Sequence, residues 1–164
     1  MAQLDLLPHD EYVAQLPHKR MSAGMLLRDE MGQVLLVEPS YKAQWEIPGG
    51  VVEDGESPWV TAVREVREEV GLTRAPGRLL VVDYVPPEND SLPERLGFVF
   101  DGGLIHRDDL AGLVLGAEVL SAELCSLDGV REKAKSLLAD RIAAAIDAAA
   151  TNETALCENG KRVG

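Results

Sequence analysis

The spacing of apolar and polar residues divides the chain into short strand-like runs and two strong helical stretches. Met21 to Arg28 and Gln33 to Glu38 are both apolar, and the turn signal Asp29-Glu30-Met31-Gly32 separates them. Two such runs around a glycine-bearing turn predict a β-hairpin, closed at its far end by Pro39. Leu79 to Val85 and Leu96 to Phe100 read as two further strands, with the turn-rich Pro86-Pro87-Glu88-Asn89-Asp90 between them. Asp101-Gly102-Gly103 opens an irregular stretch to about Gly116, and Glu118 to Leu127 predicts a last strand. Val130 to Ala150 carries Val130, Ala134, Leu137, Leu138, Ile142 and Ile146 at helical spacing, and its alanines favour helix intrinsically. Residues 1–20 form an arm with a short helix expected around Asp10 to Gln15. The polar tail from Thr151 to Gly164 is expected to be loosely ordered.

The helix predicted from about Ser57 to Val70 is the most informative segment. Ser57 suits the N-cap, Pro58 the first helical position and Gly71 the C-terminal cap. At about 100° per residue, Trp59, Val63, Val66 and Val70 fall on one core-facing stripe. With Glu65 set at zero, Glu68 lies near −60° and Glu69 near +40°, roughly, so the three carboxylates gather on the side away from that stripe. Like charges at these spacings destabilise a helix by a few tenths of a kcal/mol per pair. Arg64, four residues before Glu68, offsets part of the repulsion; a bound cation would offset more. A solvated acidic face is the competing reading of the same pattern.

A chain of 164 residues with 46% apolar and 27% charged residues suits one domain with its own core. The net charge of −12 disfavours partners that need Lys/Arg to displace counterions, duplex DNA and RNA among them, and disfavours anionic membranes. It allows a phosphorylated small molecule if divalent cations stand between acids and phosphates. Cys125 and Cys157 stand in no metal-ligand spacing and read as reduced thiols. The first residues carry no basic and apolar leader pattern, and no apolar run is long enough to span a bilayer, so a cytoplasmic location is the expectation.

From Gly50 the chain reads GVVEDGESPWVTAVREVREEVGL. Gly50, Glu56, Arg64, Glu65, Val66, Glu68, Glu69, Gly71 and Leu72 stand at every defining position of G-x5-E-x7-R-E-U-x-E-E-x-G-U, where U is aliphatic. At roughly 6–7% usage per residue type, seven fixed positions coincide by chance in about one window in a hundred million. The segment resembles the Nudix box, and Trp45-Glu46-Ile47-Pro48-Gly49-Gly50 resembles the usual lead-in to it. The resemblance covers roughly residues 21–150, between the arm of 1–20 and the tail of 151–164.

That resemblance implies an α/β fold, an α/β/α sandwich with a mixed central sheet and the box as a loop–helix–loop beside it. It implies Mg²⁺ as cofactor, with Mn²⁺ as an alternative ion. The cation ligands would be Glu65, Glu68 and Glu69, with the backbone carbonyl of Gly49 or Gly50. Glu56 and Arg64 would pair to brace the loop against the helix. The base that deprotonates the attacking water is left open among Glu69, Glu118, Asp108 and Asp109. The family also leaves room for a homodimer.

The box specifies chemistry rather than substrate. Pro87 lies fifteen residues after Leu72, a spacing that resembles ADP-ribose-hydrolysing members, although prolines between strands are common in any fold. Trp45, Tyr84, Phe98 and Phe100 could stack on a base or belong to the core. Tyr41 and Lys42, before the lead-in, could line the pocket, and His106 could touch substrate. The expected activity is hydrolysis of the diphosphate in a nucleoside diphosphate derivative such as ADP-ribose or a nucleotide sugar. Two alternatives stand beside it: a nucleoside triphosphate pyrophosphohydrolase, and a Nudix domain that binds a nucleotide and regulates without turnover. Degenerate box glutamates would favour the last, and all of them are present. RNA decapping is disfavoured by charge and by the absence of a basic run.

Overall fold

A computed structural model describes residues 7–87 and 92–163. Its centre is a mixed sheet of β1 (Arg20–Arg28), β2 (Val34–Pro39), β3 (Gly49–Val51), β4 (Leu79–Val85), β5 (Arg95–Leu104), β6 (Val119–Cys125), β7 (Ala155–Glu158) and β8 (Lys161–Arg162). The strands run in the order β6-β2-β1-β5-β4-β7-β8, with β3 also paired to β1. Four helices accompany it: α1 (His9–Ala14), α2 (Pro58–Val70), α3 (Leu127–Lys133) and α4 (Ser136–Thr151).

Both faces of the sheet are covered, which is why β1 and β2 read as continuous apolar runs rather than alternating ones. Met25, Leu27, Leu35 and Val37 point to the side of α2, where they meet Ala62, Val66 and Val70. Leu26, Val34 and Leu36 point to the other side, against Val130 of α3 and Ile142, Ala145 and Ala148 of α4. The result is the expected α/β/α sandwich. The hairpin turn is held by Asp29, whose Oδ1 accepts from the amides of Met31 and Gln33 at 2.9 and 2.8 Å. Of the turn expected between β4 and β5, residues 88–90 lie outside the described residues, as do residues 1–6 of the arm.

β1 and β2 diverge beyond the turn, and the lead-in fills the gap between them. Glu46 bridges Val37 on one side, while Gly49, Gly50 and Val51 pair with Gly24, Ala23 and Ser22 on the other. The glycines that end the lead-in thus open a short strand. The two backbones meet so closely at Gly24 and Gly49 that a Cβ on Gly49 would lie 2.6 Å from the Ala23 carbonyl oxygen. Only glycine fits there.

Four expectations are corrected. Trp59 is 57% exposed, and Thr61 and Ala62 take its place in the buried face of α2. Ser57 caps α2 in position only, because its buried hydroxyl finds no hydrogen-bond partner among the described residues. The helix expected over 130–150 is two helices, broken at Ala134 (ψ 162°). No breaker residue marks the break. The amide of Trp45, from the lead-in, donates to the Lys133 carbonyl at 3.1 Å and ends α3 from outside. Finally, the tail is ordered: β7 pairs in parallel with β4 and buries Ala155 and Cys157.

Candidate active site

The wedge of backbone between β1 and β2 lies against the carboxylate face of α2. A cleft of about 590 Å³ opens here. At one end it is lined by Gly49, Gly50, Glu65, Glu69, Glu46 and Glu118, and at its mouth by Tyr41, Lys42 and Trp45. A smaller adjoining hollow is lined by Arg64, Glu65, Glu68, Glu69 and Glu118. The three box glutamates and Glu118, far apart in sequence, thus share one depression.

The glutamates are not equivalent. Glu69 is largely buried; its Oε2 accepts from the Gly49 amide at 2.9 Å. Desolvation pushes its carboxyl up to about 8, against the lowering effect of that hydrogen bond and with further raising by Glu65 and Glu46. Glu65 packs against Gly50 so tightly that a Cβ there would collide with its carboxylate. Burial also raises its pKa, opposed by the neighbouring Arg64. Glu68 is the outer member, with a side chain 51% exposed. The expectation that all three lie away from the core stripe therefore holds in direction, but two of them face a shielded cleft rather than open water.

Arg64 organises the group. Its Nε and Nη2 donate to Glu56 at 2.9 and 3.0 Å, and its Nη1 donates to Glu65 at 2.7 Å and to Glu68 at 3.2 Å. Nη2 also reaches the Val51 carbonyl at 3.2 Å, tying the loop to the helix. The pairing raises the Arg64 pKa, with Glu56 as the largest cause. Arg64, with the Thr61 hydroxyl, holds the Glu56 carboxyl down at about 2.

Among the described residues, no three His, Cys, Asp or Glu side chains converge closely enough to hold a metal ion directly. The guanidinium of Arg64 supplies positive charge between Glu65 and Glu68 instead. The donor set still fits a hard cation: only oxygen ligands are on offer, and two carboxylates have pKa values raised first by desolvation, with Glu65 raising Glu69 further, a cost that a divalent ion would remove. Filling the site requires Glu65 and Glu68 to turn from Arg64 toward the cation.

The other sequence candidates scatter. Tyr41 stands at the mouth of the cleft, its phenol pKa raised by partial burial and then by Glu46, Glu69, Glu118 and Glu65. Lys42 pairs with Glu46 at 2.5 Å. Trp45 lines the cleft, but the Lys133 ammonium lies 4.0 Å from its ring centroid, covering part of the indole surface. Phe98 lines the cleft, whereas Phe100 is core. Tyr84 donates its hydroxyl to Glu94 at 2.5 Å and does not line the cleft. Pro87 is exposed and is not among the lining residues. His106, Asp108 and Asp109 belong to the 3₁₀ turn Arg107–Gly112 and its cap, outside the cleft; Asp109 accepts from the His106 amide at 3.1 Å.

One feature of the cleft was invisible in the sequence. Away from the acids, Arg20, Arg95 and Lys135 line the cleft, with Arg141 between the two groups. They lie on β1, on β5 and around the start of α4, so no basic run announces them. Only strand register and helix placement bring them together.

The NUDIX domain model matches residues 18–145. Diphosphoinositol polyphosphate phosphohydrolase 2 of Mus musculus is 47% identical over 64 residues, 38% of this chain and 36% of that protein. The match thus spans about a third of the length of the curated relatives. A MutT protein from Methanosarcina mazei superposes with a TM-score of 0.66 at 26% identity, covering 82% of this chain and 99% of that one. An ADP-ribose pyrophosphatase from Streptococcus suis shares the fold with a TM-score of 0.63 at 18% identity, over 86% of this chain and 99% of its own. Among the described residues, no helix is long and apolar enough to cross a membrane.

Proposed function

The chain belongs to the Nudix family, and from that premise we propose that it is a Mg²⁺-dependent pyrophosphohydrolase. Its substrate is a nucleoside diphosphate derivative of the ADP-ribose or nucleotide-sugar type. The observation that carries this reading is the pair of partly buried carboxylates, Glu65 and Glu69, packed against the glycine backbone at one end of the cleft. Such a pair is costly unless a cation and an anionic substrate complete it.

Glu65, Glu68 and Glu69 hold the cation, with Glu118 facing them across the hollow. Bound there, Mg²⁺, or Mn²⁺ in its place, would neutralise diphosphate charge and lower the pKa of a coordinated water. Glu56 anchors Arg64, and Arg64 balances the charge of Glu65 and Glu68 until the cation takes its place. Glu118 is the side chain outside the box best placed to take the proton of the attacking water. Tyr41, Trp45 and Phe98 supply the apolar wall for the moiety beyond the diphosphate. The named activities of the fold neighbours, ADP-ribose pyrophosphatase among them, support this chemistry.

The test is a panel of nucleotides incubated with Mg²⁺ and the whole chain, with products identified by ³¹P NMR. AMP and ribose 5-phosphate from ADP-ribose support the reading. A monophosphate and pyrophosphate from a triphosphate alone would favour the triphosphate alternative. Binding without product from any member would leave a regulatory nucleotide-binding domain.

A further inference from the structure

The cleft is electrically bipolar, and its acidic end alone accounts for a diphosphate with its cations. On the floor, β1 and β5 run in parallel with Arg20 beside Arg95, Ser22 beside Gly97 and Gly24 beside Val99. Gly24 adjoins Gly49 and hence Glu69, so the acidic end lies at Gly24 and the arginine pair four residues back along β1. At about 3.3 Å per residue that separation is on the order of 13 Å. The midpoint is basic as well. Gly97 lacks the side chain that would crowd Arg141, whose Cζ lies 3.2 Å from where a Cβ would stand. Arg141 is held in that place by Asp83, with Nε donating at 2.7 Å. The Pro93 carbonyl accepts from Arg20 Nη2 at 3.1 Å and steadies that side chain. Lys135 caps the start of α4 and completes the wall.

Arginines on adjacent strands facing one side repel each other, and like charges directly opposite one another destabilise a sheet. In a chain of net charge −12, Arg20, Arg95 and Lys135 collected in one cleft beside the Asp83-paired Arg141 are a strong local departure from the rest of the surface. Guanidinium groups match phosphate geometry, with paired donors on paired oxygens.

We propose that this basic end is a second anion subsite, and that the substrate carries a phosphate monoester on the nucleoside attached to its diphosphate. The inference rests on the diphosphate reading of the acidic end and narrows its substrate class. A nucleoside diphosphate derivative with no further charge engages only the acidic end, whereas a phosphorylated one spans the cleft from end to end.

The probes are the α,β-methylene analogues of ADP-ribose and 2′-phospho-ADP-ribose, compared by calorimetric binding in Mg²⁺, their P–C–P bridge excluding turnover. One additional charge-assisted contact set predicts about tenfold tighter binding of the phosphorylated probe. Arg20→Ser and Lys135→Ser should each shrink that ratio at least threefold. Arg107→Ser, which removes the same charge outside the cleft, should leave it unchanged. Equal affinities, no binding of either probe, or a ratio indifferent to Arg20 and Lys135 would overturn the subsite. Turnover with Mg²⁺ is read separately. Cleavage without a binding preference removes only the subsite, while preference without cleavage of any diphosphate removes only the hydrolase reading.

Discussion

Replacing Asp83 by Asn tests how the floor of the cleft is built. Asp83 is fully buried on β4. Its Oδ2 accepts from Arg141 Nε at 2.7 Å and lies 2.6 Å from Nη2, and both carboxylate oxygens receive the Gly160 amide at 3.0 and 3.1 Å. Asn preserves the shape and one acceptor but leaves the guanidinium charge uncompensated in a dry place. Breaking one side of a buried pair costs about 3–5 kcal/mol. In a chain of this length each kcal/mol moves Tm by roughly 2–4 °C, so a fall of roughly 6–20 °C is expected. Urea unfolding followed by circular dichroism measures it directly. The double replacement Asp83→Leu with Arg141→Met removes both charges together and should recover most of the loss. The part not recovered is the Gly160 amide, left unpaired at about 1–3 kcal/mol. If Asp83→Asn costs less than about 1 kcal/mol, the range of an exposed pair, the buried-pair account of the floor is wrong.

Other expectations follow from the same contacts. Glu68→Gln should lower turnover by orders of magnitude, because a cation ligand is lost, while stability stays within about 0.5 kcal/mol because the side chain is half exposed; unchanged kcat would count against the ligand assignment. Glu56 is held at about 2 in the folded chain against 4.5 unperturbed. Its folded pKa is depressed, so its stabilisation is complete above about 4.5 and disappears as pH falls toward 2. Urea midpoints of wild type and Glu56→Gln should therefore differ at neutral pH and converge near pH 2; a constant difference would contradict the pairing. Cys125 and Cys157 are buried, with thiol pKa values raised by desolvation. A thiol reagent should label them only as fast as the structure opens, and rapid labelling in native buffer would refute their burial.

How much of this was legible in the sequence depended on whether a feature is local. The β1–β2 hairpin and the limits of α2 were readable because apolar runs, Asp29, Pro58 and Gly71 act within a few residues. The pairing of Glu56 with Arg64 was readable because the box fixes its spacing. The break between α3 and α4 was not, since the amide that ends α3 belongs to Trp45, some ninety residues away in sequence. β7 escaped notice because four residues with two small buried side chains, Ala155 and Cys157, give too short a pattern. Trp59 was misplaced because the wheel rewards apolarity, whereas packing on β1 and β2 selected the smaller Thr61 and Ala62. The basic end of the cleft joins side chains up to 121 positions apart, from Arg20 to Arg141, and only the folded sheet reveals it.

The central claim is that Glu65, Glu68 and Glu69 gather a divalent cation against a diphosphate. A crystal structure with Mg²⁺ and a non-hydrolysable nucleotide diphosphate analogue tests it most directly. The account predicts metal density bounded by those three carboxylates and the bridging phosphates, with Glu65 and Glu68 turned away from Arg64. Density for cation and diphosphate elsewhere, with Arg64 still holding both glutamates, would contradict it.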